Sequence, residues 1–371
     1  MVHDLIGCGK WCAASNSFGG FCSFFPEIFG GCERRYIIKG GPGTGKSTLM
    51  RAAADAAVKR GLRCECFFCS SDPSSLDGLI IYDESGGTTA IIDGTPPHTA
   101  DAVLPGAKDE ILNLGQFWNS AALRGQREEI GALGERKSAL YVSACHYLSA
   151  AGAVTKEYER ITGAAFAEEK AEAACKRLVG KLLSLPRKTP PPGTPGDCLR
   201  LYEGIGMDGF FAFPLCSSDY PTRFIISDRR RTGHRLTEKI CRMLREEEKV
   251  KEPLVRVPDP FFPDRLSALL LPARGAAVLT GRSIDGQVLY PVGDGGTVIN
   301  TERFFDRSKE AGSDAAKLRF CRRSADSLLR GAAEVFSEIR KVHFTLEGIY
   351  GAAMDFPALD RFREDFLKNL F

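Results

Sequence analysis

The sequence predicts an α/β protein made of two tandem three-layer αβα domains, each with C-terminal helices, in which the second domain is a degenerate copy of the first. Three observations support this prediction. Short β-branched runs alternate with alanine-rich helical stretches, which favours parallel strands with helices on both faces. Blocks of similar residues recur about 188 positions apart, and a proline-rich stretch divides the 371-residue chain near its middle.

The bulk composition is that of an ordinary globular protein. The chain is 43% hydrophobic and 26% charged, with a formal net charge of +3. This charge is too small to support nucleic acid as a partner. No apolar run is long enough to span a bilayer and no secretory leader is recognisable, so we expect a cytoplasmic protein with no membrane partner.

Cysteine is abundant, and we expect its thiols to be free. Seven of the 13 cysteines precede residue 70, namely Cys8, Cys12, Cys22, Cys32, Cys64, Cys66 and Cys69. Without a secretory signal, disulfides are not expected. Cys66 and Cys69 form a CxxC pair inside an apolar run typical of a buried strand, where free cysteines act as small hydrophobic residues. A metal site on this pair is the weaker alternative.

The strongest motif is RYIIKGGPGTGKSTLMRA, at residues 35–52. It fits the phosphate-binding pattern GxxxxGK[S/T], placed between a predicted strand and a predicted helix that ends at Gly61. Glycines let successive amides point at one anion, and the helix N-terminus adds partial positive charge. The motif predicts a P-loop NTPase-like domain that binds ATP through Gly40, Gly41, Pro42, Gly43, Thr44, Gly45, Lys46, Ser47 and Thr48.

Individual residues of the motif, and one acid outside it, have predicted roles in phosphate chemistry. We expect Lys46 to reach the β- and γ-phosphates, Ser47 to ligate Mg²⁺, and Thr48 to donate near the α-phosphate. The acid on the magnesium side is predicted to be Asp93, which ends the apolar run TTAIID. Asp72 is the weaker metal candidate because it also suits the start of a turn. Lys46 and Asp93 are therefore the predicted catalytic residues.

The residue that would activate a water molecule is not evident. Gly94, and not a second acid, follows Asp93. His98 could face the γ-phosphate, although a solvated or structural role is more common for a histidine in a proline-rich loop. Asp101 and Glu110 are weaker candidates. We therefore expect either slow hydrolysis or a base contributed from elsewhere in the chain.

The second half of the chain repeats the layout of the first. Residues that recur 188 positions later include Arg35, Ile37, Ile38, Thr44 and Gly45. Four further blocks match at spacings of 187 to 190, and so little drift indicates a duplication. The stretch LPRKTPPPGTPGD has the composition of a linker. We predict domains at 1–185 and 198–371, joined by a linker at 186–197.

The second copy of the phosphate loop has lost its nucleotide-binding residues. The replacements are Asp228 for Gly40, Arg229 for Gly41, Arg231 for Gly43, His234 for Lys46, Arg235 for Ser47 and Thr280 for Asp93. These changes predict a pseudo-ATPase domain. An arginine finger that reaches the ATP held by Lys46 could come from Arg229, Arg230, Arg231 or Arg235, although a solvated basic loop is the commoner outcome.

Four stretches between residues 36 and 118 carry a resemblance to a known family. They are YIIKGGPGTGKSTLM, CSSDPSSLDGLII, AIIDGTPPH and PGAKDEILNLGQFW. As a set they resemble a little-characterised bacterial, clostridial-type family of tandem P-loop ATP-binding proteins within the P-loop NTPase superfamily. The resemblance implies an ATP-binding α/β core in each half, and it implies no particular substrate.

These observations together favour an Mg-ATP-binding ATPase with slow hydrolysis coupled to domain rearrangement. Two alternatives stay open. One is a non-enzymatic, nucleotide-gated adaptor, and the other is a P-loop small-molecule kinase whose helices form a substrate lid. The expected ligands are ATP and magnesium, and the sequence does not define the protein or small-molecule target.

Overall fold

The computed structural model describes residues 5, 7–189, 196–284, 287–289, 295–306 and 314–371. Its described residues form two large β-sheets with flanking helices, one from each half of the chain, and two separate two-stranded hairpins. The predicted α/β class, with two tandem αβα units, is confirmed. Residues 190–195 of the predicted linker lie outside the described residues.

The first sheet is built within residues 8–113. Its strands and the adjoining hairpin are β1 (Cys8–Cys12), β2 (Ala14–Ser17), β3 (Gly20–Ser23), β4 (Arg34–Lys39), β5 (Arg63–Phe68), β6 (Leu76–Tyr82), β7 (Thr88–Asp93) and β8 (Asp109–Asn113). The helices of this half are α1 (Phe25–Phe29), α2 (Lys46–Lys59), α3 (Ser120–Gly125), α4 (Arg127–Gly163) and α5 (Glu168–Ser184), with a 3₁₀ helix at Leu114–Phe117. The strand order is β1-β5-β6-β7-β4-β8, while β2 and β3 pair separately.

The second sheet repeats this topology. Its strands and hairpin are β9 (Cys198–Leu199), β10 (Glu203–Gly206), β11 (Gly209–Ala212), β12 (Thr222–Ser227), β13 (Val255–Pro258), β14 (Leu266–Leu271), β15 (Ala276–Ile284), β16 (Gln287–Leu289) and β17 (Thr297–Asn300). The helices are α6 (Gly233–Arg242), α7 (Asp314–Ala352) and α8 (Phe356–Leu370), with a π-helical turn at Met243–Glu247 and 3₁₀ helices at Pro272–Arg274 and Thr301–Phe304. The order β17-β12-β15-β14-β13-β9 matches the first sheet, with β16 added beside β15.

An equivalent strand in each sheet departs from the expected parallel arrangement, and the added strand β16 also pairs antiparallel with β15. Strands β6 and β14 run antiparallel to both of their neighbours. The connection from β6 to β7 spans only residues 83–87, whereas a parallel crossover needs a dozen residues or more. The short loops therefore dictate a meander at this point of each sheet.

The strand and helix that flank the phosphate loop form for local reasons. Strand β4 carries Ile37 and Ile38, which are fully buried between β7 and β8. Helix α2 buries Ala53, Ala54 and Ala57 in the same hydrophobic core, and such small side chains let a helix lie close to a sheet. The loop between the two elements is thus held between rigid parts of the fold.

The C-terminal helical hairpins are exchanged between the two halves. The hairpin α7–α8 comes from the second half, yet Leu359 and Phe366 of α8 lie in the core of the first sheet. Phe366 meets the ring of Tyr36 edge to face at 4.9 Å. The hairpin α4–α5 comes from the first half, yet Leu178 and Leu182 of α5 lie in the core of the second sheet. Each hairpin therefore completes the core of the other half.

The exchange follows the sequence repeat. Trp118 forms an isolated β-bridge with Met354, and Phe166 forms the equivalent bridge with Phe305. Positions 118 and 305 are 187 apart, and positions 166 and 354 are 188 apart. The two halves are thus related by an approximate twofold arrangement, with α4 and α7 packed together through a shared apolar cluster.

Two cysteines correct the expectation that all the thiols are free. Strand β1 pairs in parallel with β5 in a register that places Cys8 opposite Cys64. Their Cα atoms are 5.1 Å apart, and the two residues are joined by a disulfide. The other eleven cysteines are described and free. Burial raises the pKa of Cys66 to about 12, as expected for a cysteine that acts as a core residue.

Candidate functional site

The predicted phosphate loop lies at the carboxyl end of β4 and has the backbone that its glycines predict. Gly43 and Gly45 have φ angles of +69° and +81°, in the left-handed region that favours glycine. Helix α2 begins at Lys46, so its N-terminal amides face the loop. The Thr44 hydroxyl donates to the Gly41 carbonyl at 2.8 Å and closes the loop upon itself.

Lys46 and Asp93 lie side by side beneath this loop. The Lys46 ammonium donates to the carbonyls of Gly40 at 3.1 Å and Gly41 at 2.7 Å, and lies 3.6 Å from Asp93 Oδ2. Asp93 ends β7, the parallel neighbour of β4. Its other oxygen accepts hydrogen bonds from the Thr95 N–H and hydroxyl, at 2.9 and 2.6 Å. The structure therefore brings the two predicted catalytic residues together.

Pro42, Ser47 and Thr48 complete the predicted set. Pro42 is half-buried in the loop, and Thr48 is exposed in the first turn of α2. The Ser47 hydroxyl accepts a hydrogen bond from the Leu76 N–H at 3.0 Å, which ties the start of α2 to the start of β6. Ser47 would have to exchange this bond to ligate a metal ion.

Asp77 is an acid of the site that sequence reasoning missed. It lies on β6, whose antiparallel register with β7 places it beside Asp93. Burial raises the pKa of the Asp93 carboxyl, Lys46 opposes the rise and Asp77 adds to it. In the sequence, Asp77 is marked only as an aspartate inside the apolar run SLDGLII. Its position near the loop depends on the antiparallel pairing of β6, which the sequence does not reveal.

His98 supports Asp77 and does not face the loop. Its Nε2 lies 2.9 Å from Asp77 Oδ2, and its ring stacks on Phe25 with centroids 4.4 Å apart. The Cys69 thiol also donates to Asp77. Ligand atoms of Cys69, Asp77 and His98 lie within 4.8 Å of one another and could hold a metal ion. Hydrogen bonds to the shared carboxylate already account for this grouping, so His98 has the structural role that was the commoner expectation.

Asp72, the weaker metal candidate, is held in its own turn. Its Oδ1 accepts hydrogen bonds from the Ser74 N–H at 3.1 Å and from the Ser74 hydroxyl at 2.6 Å. This is the turn start that its sequence context also suited.

Asp101 and Glu110, the remaining acids considered as bases, are engaged away from Lys46. Asp101 forms an ion pair with Lys39 at 2.9 Å, and Glu110 forms one with Arg34 at 2.9 Å. The side chain of Asp101 is 85% exposed, so it lies in solvent. Neither residue is placed to act at the loop in this arrangement.

The exchanged hairpin α7–α8 covers the phosphate loop. A Cβ atom added at Gly43 would lie 2.6 Å from the carbonyl oxygen of Glu347. Tyr350 and Leu359 lie just as close over two other glycines of the loop, at 2.9 and 2.8 Å from the equivalent Cβ positions. Helices of the second half therefore form a close-fitting cover on the predicted phosphate loop of the first.

Glu347 places a carboxylate on one amide of the loop. The Gly43 N–H donates to this carboxylate. Burial raises the pKa of Glu347, nearby Asp72 adds to the rise, and the Gly43 amide and Lys46 oppose it. A side-chain anion thus occupies part of the cradle in which a phosphate oxygen would lie.

Two further charged or titratable residues reach this region from the paired long helices. Lys137 of α4 donates from Nζ to Nδ1 of His343 on α7 at 3.0 Å, and His343 Nε2 lies 3.5 Å from Glu347 Oε1. Burial and the neighbouring Lys137 lower the pKa of His343 to about 4, so the imidazole is neutral and accepts the hydrogen bond. Burial also lowers the pKa of Lys137. No local sequence pattern marks these residues.

The second phosphate loop keeps part of the backbone course of the first. Arg231 has φ +56°, in the same left-handed region as Gly43, its counterpart 188 positions earlier. The amides are satisfied internally, because Asp228 Oδ1 accepts from the N–H groups of Thr232 at 2.6 Å and Gly233 at 2.8 Å. A carboxylate of the loop itself therefore fills the anion cradle.

Three of the four arginines that were candidates for an arginine finger are held by ion pairs at the second loop. Ion pairs join Arg230 to Glu302, Arg231 to Asp326 and Arg235 to Glu168. Arg229 is exposed at the edge of the same loop.

Their distance from Lys46 corrects the arginine-finger expectation for this arrangement. Arg231 donates to Thr155 on α4 at 2.6 Å, whereas Lys137, which reaches the first loop, is 18 residues earlier on the same helix. At 1.5 Å per residue the separation is about 27 Å. The two loops lie at opposite ends of the paired helices α4 and α7.

Comparison with known proteins adds no assignment. No family model matches the chain, and no curated protein or solved structure matches it significantly. Within the described ranges, none of the helices combines the length and apolar character that crossing a bilayer requires. The functional conclusion therefore rests on the geometry of the loop and its surroundings.

Proposed function

We propose that the first half of the chain binds Mg-ATP and hydrolyses it slowly. The observation that carries this proposal is the strand–loop–helix unit from β4 to α2, with left-handed Gly43 and Gly45 and with Lys46 3.6 Å from Asp93. The left-handed backbone at Gly43 and Gly45 is the conformation in which successive loop amides can face one phosphate group.

The loop residues have separate tasks in this proposal. Lys46 exchanges the carbonyls of Gly40 and Gly41 for the β- and γ-phosphates. Ser47 and Asp93 would hold the magnesium ion, which neutralises charge on the phosphates when bound. Burial raises the pKa of the Asp93 carboxyl, the neighbouring Lys46 opposes the rise, and a bound metal ion would oppose it further.

Hydrolysis is expected to be slow because the bases considered from the sequence, His98, Asp101 and Glu110, are all engaged away from the loop in the described structure. Gly94 follows Asp93, and Asp77 already accepts hydrogen bonds from His98 and Cys69. The same observation favours one alternative, a nucleotide-gated adaptor that binds ATP without turnover. Both versions use the same phosphate loop, and only the fate of the γ-phosphate differs.

Binding of ATP is coupled to the exchanged hairpin in this proposal. Glu347 and an incoming phosphate would compete for the same hydrogen-bond donor, the Gly43 amide, and the Tyr350 ring lies against the loop. A phosphate group therefore has to displace this part of α7, which belongs to the second half. The nucleotide would thus bias how the two halves pack together.

Phosphate release by the purified full-length protein tests the proposal. Lys46→Ala is expected to reduce turnover by about 10²-fold or more, since it removes the cation on the transferred phosphate. The matched control is Lys59→Ala, at the exposed C-terminal end of α2, which should leave turnover unchanged. Turnover that survives Lys46→Ala would refute the site, whereas ATP binding without turnover in the unmodified protein would assign the adaptor function.

A further inference from the structure

A cavity of about 580 Å³ lies over the second phosphate loop. Its walls include Asp228, Arg229 and Arg231 of the loop, and Thr280, which takes the place of Asp93. The volume is within the usual range of small-molecule sites, about 300 to 1,000 Å³. The second half has therefore lost the phosphate-binding residues but keeps a pocket at the equivalent place.

The pocket stays open because the covering helix makes a different contact. Helix α4 covers the second loop as α7 covers the first, and Glu159 of α4 stands 188 positions before Glu347. The Glu347 carboxylate accepts from the Gly43 amide of the first loop, whereas Glu159 forms an ion pair with Arg265 at 2.8 Å. Glu159, the counterpart of Glu347, therefore directs its carboxylate to Arg265 and not to the amides of the second loop.

The charges that line the cavity leave an excess of arginine at its mouth. Each of the four acids that line the cavity already has a hydrogen-bond donor from the protein. Glu159 and Asp326 form ion pairs with arginines. Asp228 and Asp259 accept hydrogen bonds from backbone amides. Within the described part of the chain, no ion pair is recorded for the lining residues Arg229, Arg322 and Arg323, which are exposed. Two or three guanidinium groups match the dianionic charge and the oxygen geometry of a phosphate monoester.

The other wall of the cavity is aromatic. Phe18 and Phe262 pack edge to face with ring centroids 4.9 Å apart, and the Arg265 guanidinium lies 3.8 Å from the centre of the Phe262 ring. An aromatic surface of this kind suits the flat ring of a ligand whose charged end meets the arginines.

The residues that would support magnesium are absent from this loop. Arg235 stands where the first loop has Ser47, and Thr280 stands where it has Asp93. Thr280 is instead hydrogen-bonded to Thr237 at 3.0 Å. Arginine side chains are therefore the cationic groups that this cavity offers to a bound anion.

We propose that the cavity over the second loop is a magnesium-independent binding site for a phosphorylated small molecule of mononucleotide size. The phosphate lies between Arg229 and Arg322 at the mouth, and the flat ring packs toward Phe262. This site is separate from the one proposed around Lys46, and it does not depend on ATP binding there.

Equilibrium binding of N-methylanthraniloyl-AMP to the full-length chain in EDTA tests this proposal. The background is Lys46→Ala, which disables the first loop. Saturable binding is expected, and the double change Arg229→Ala with Arg322→Ala should weaken it by about tenfold or more, because two charge-assisted hydrogen-bond donors are lost. Both arginines are exposed, so thermal unfolding should be unchanged. The matched control removes two exposed arginines outside the cavity, Arg177→Ala with Arg319→Ala, and should bind normally.

Several results would overturn the proposal. Absence of saturable binding in EDTA would do so, and so would binding that is equally strong in the Arg229 and Arg322 double variant. Competition is also informative, since AMP should displace the probe while adenosine, which lacks phosphate, should not. A loss of Mg-ATP turnover in Lys46→Ala concerns only the first loop, so the two proposals fail independently.

Discussion

At the scale of single residues, Glu347 is the side chain that we expect to compete most directly with an incoming phosphate group. Its carboxylate accepts the Gly43 N–H, which an ATP phosphate would also need. Glu347→Gln removes the negative charge and keeps the size, so Mg-ATP affinity should rise by about three- to tenfold. Calorimetric titration measures it, with the exposed Glu338→Gln on the same helix as control. Unchanged or weaker binding in Glu347→Gln would contradict this role.

His343 gives the covered loop a predicted pH dependence. Its pKa in the folded protein is about 4, below the usual 6.5, because of burial and of Lys137. The unfolded chain therefore binds a proton first as pH falls. The stability that neutral His343 contributes is present above pH 6.5 and is lost as pH falls toward 4. Lys46, Asp72, Asp77 and Glu347 face the same region, and all four residues are present in both proteins that are compared below.

Thermal unfolding between pH 6.5 and 4.5 tests this dependence. The unmodified protein should lose more stability over this interval than His343→Gln, which cannot bind the proton. His146→Gln, on the exposed face of α4, is the control and should behave like the unmodified protein. Parallel curves for the unmodified protein and His343→Gln would show that the imidazole is not held neutral.

Residues of the site differ in how far sequence could place them. Lys46 and Asp93 were predictable because a glycine pattern and two strand ends fix them locally. Asp77 was not, since its position depends on the antiparallel direction of β6. Glu347 lies about 300 positions from the motif and reaches it through the hairpin exchange, for which the local sequence gives no signal.

At the scale of elements, the exchanged helix α8 is predicted to be a structural part of the first half. Phe366 of α8 is buried with Tyr36 of β4, so Phe366→Ala should lower the free energy of unfolding by about 3 to 5 kcal/mol. Phe356→Ala, at the exposed start of the same helix, should cost less than about 1 kcal/mol. Urea unfolding compares the two. Equal effects would mean that α8 does not complete the core of the first sheet.

The elements themselves were largely predictable, but their partners were not. The duplicated strand pattern and the loop between β4 and α2 follow from short-range periodicity and glycine placement. The apolar residues of α5 and α8, such as Leu178 and Phe366, show that these helices pack on something. These residues do not indicate which of the two sheets each helix packs against, because both sheets have similar apolar faces after a duplication.

At the scale of the whole molecule, two related sites lie at opposite ends of the paired helices α4 and α7. One has the predicted phosphate loop and is covered by Glu347 and Tyr350, and the other has substitutions in that loop and an arginine-lined cavity. Each site is covered by a helix from the other half. A movement of α7 at the first loop or of α4 at the second loop would therefore affect the pair of long helices that joins the two halves.

The central claim is that Mg-ATP binds at Lys46 and displaces the α7–α8 cover. Trp118 reports on this directly, because its ring lies 5.9 Å from Tyr350 and the chain has only one other tryptophan, Trp11. In Trp11→Phe protein, Mg-ATP should cause a saturable change in Trp118 fluorescence that is absent when Lys46→Ala is added. The claim is contradicted if calorimetry detects ATP binding while the fluorescence stays constant, or if the change persists in Lys46→Ala.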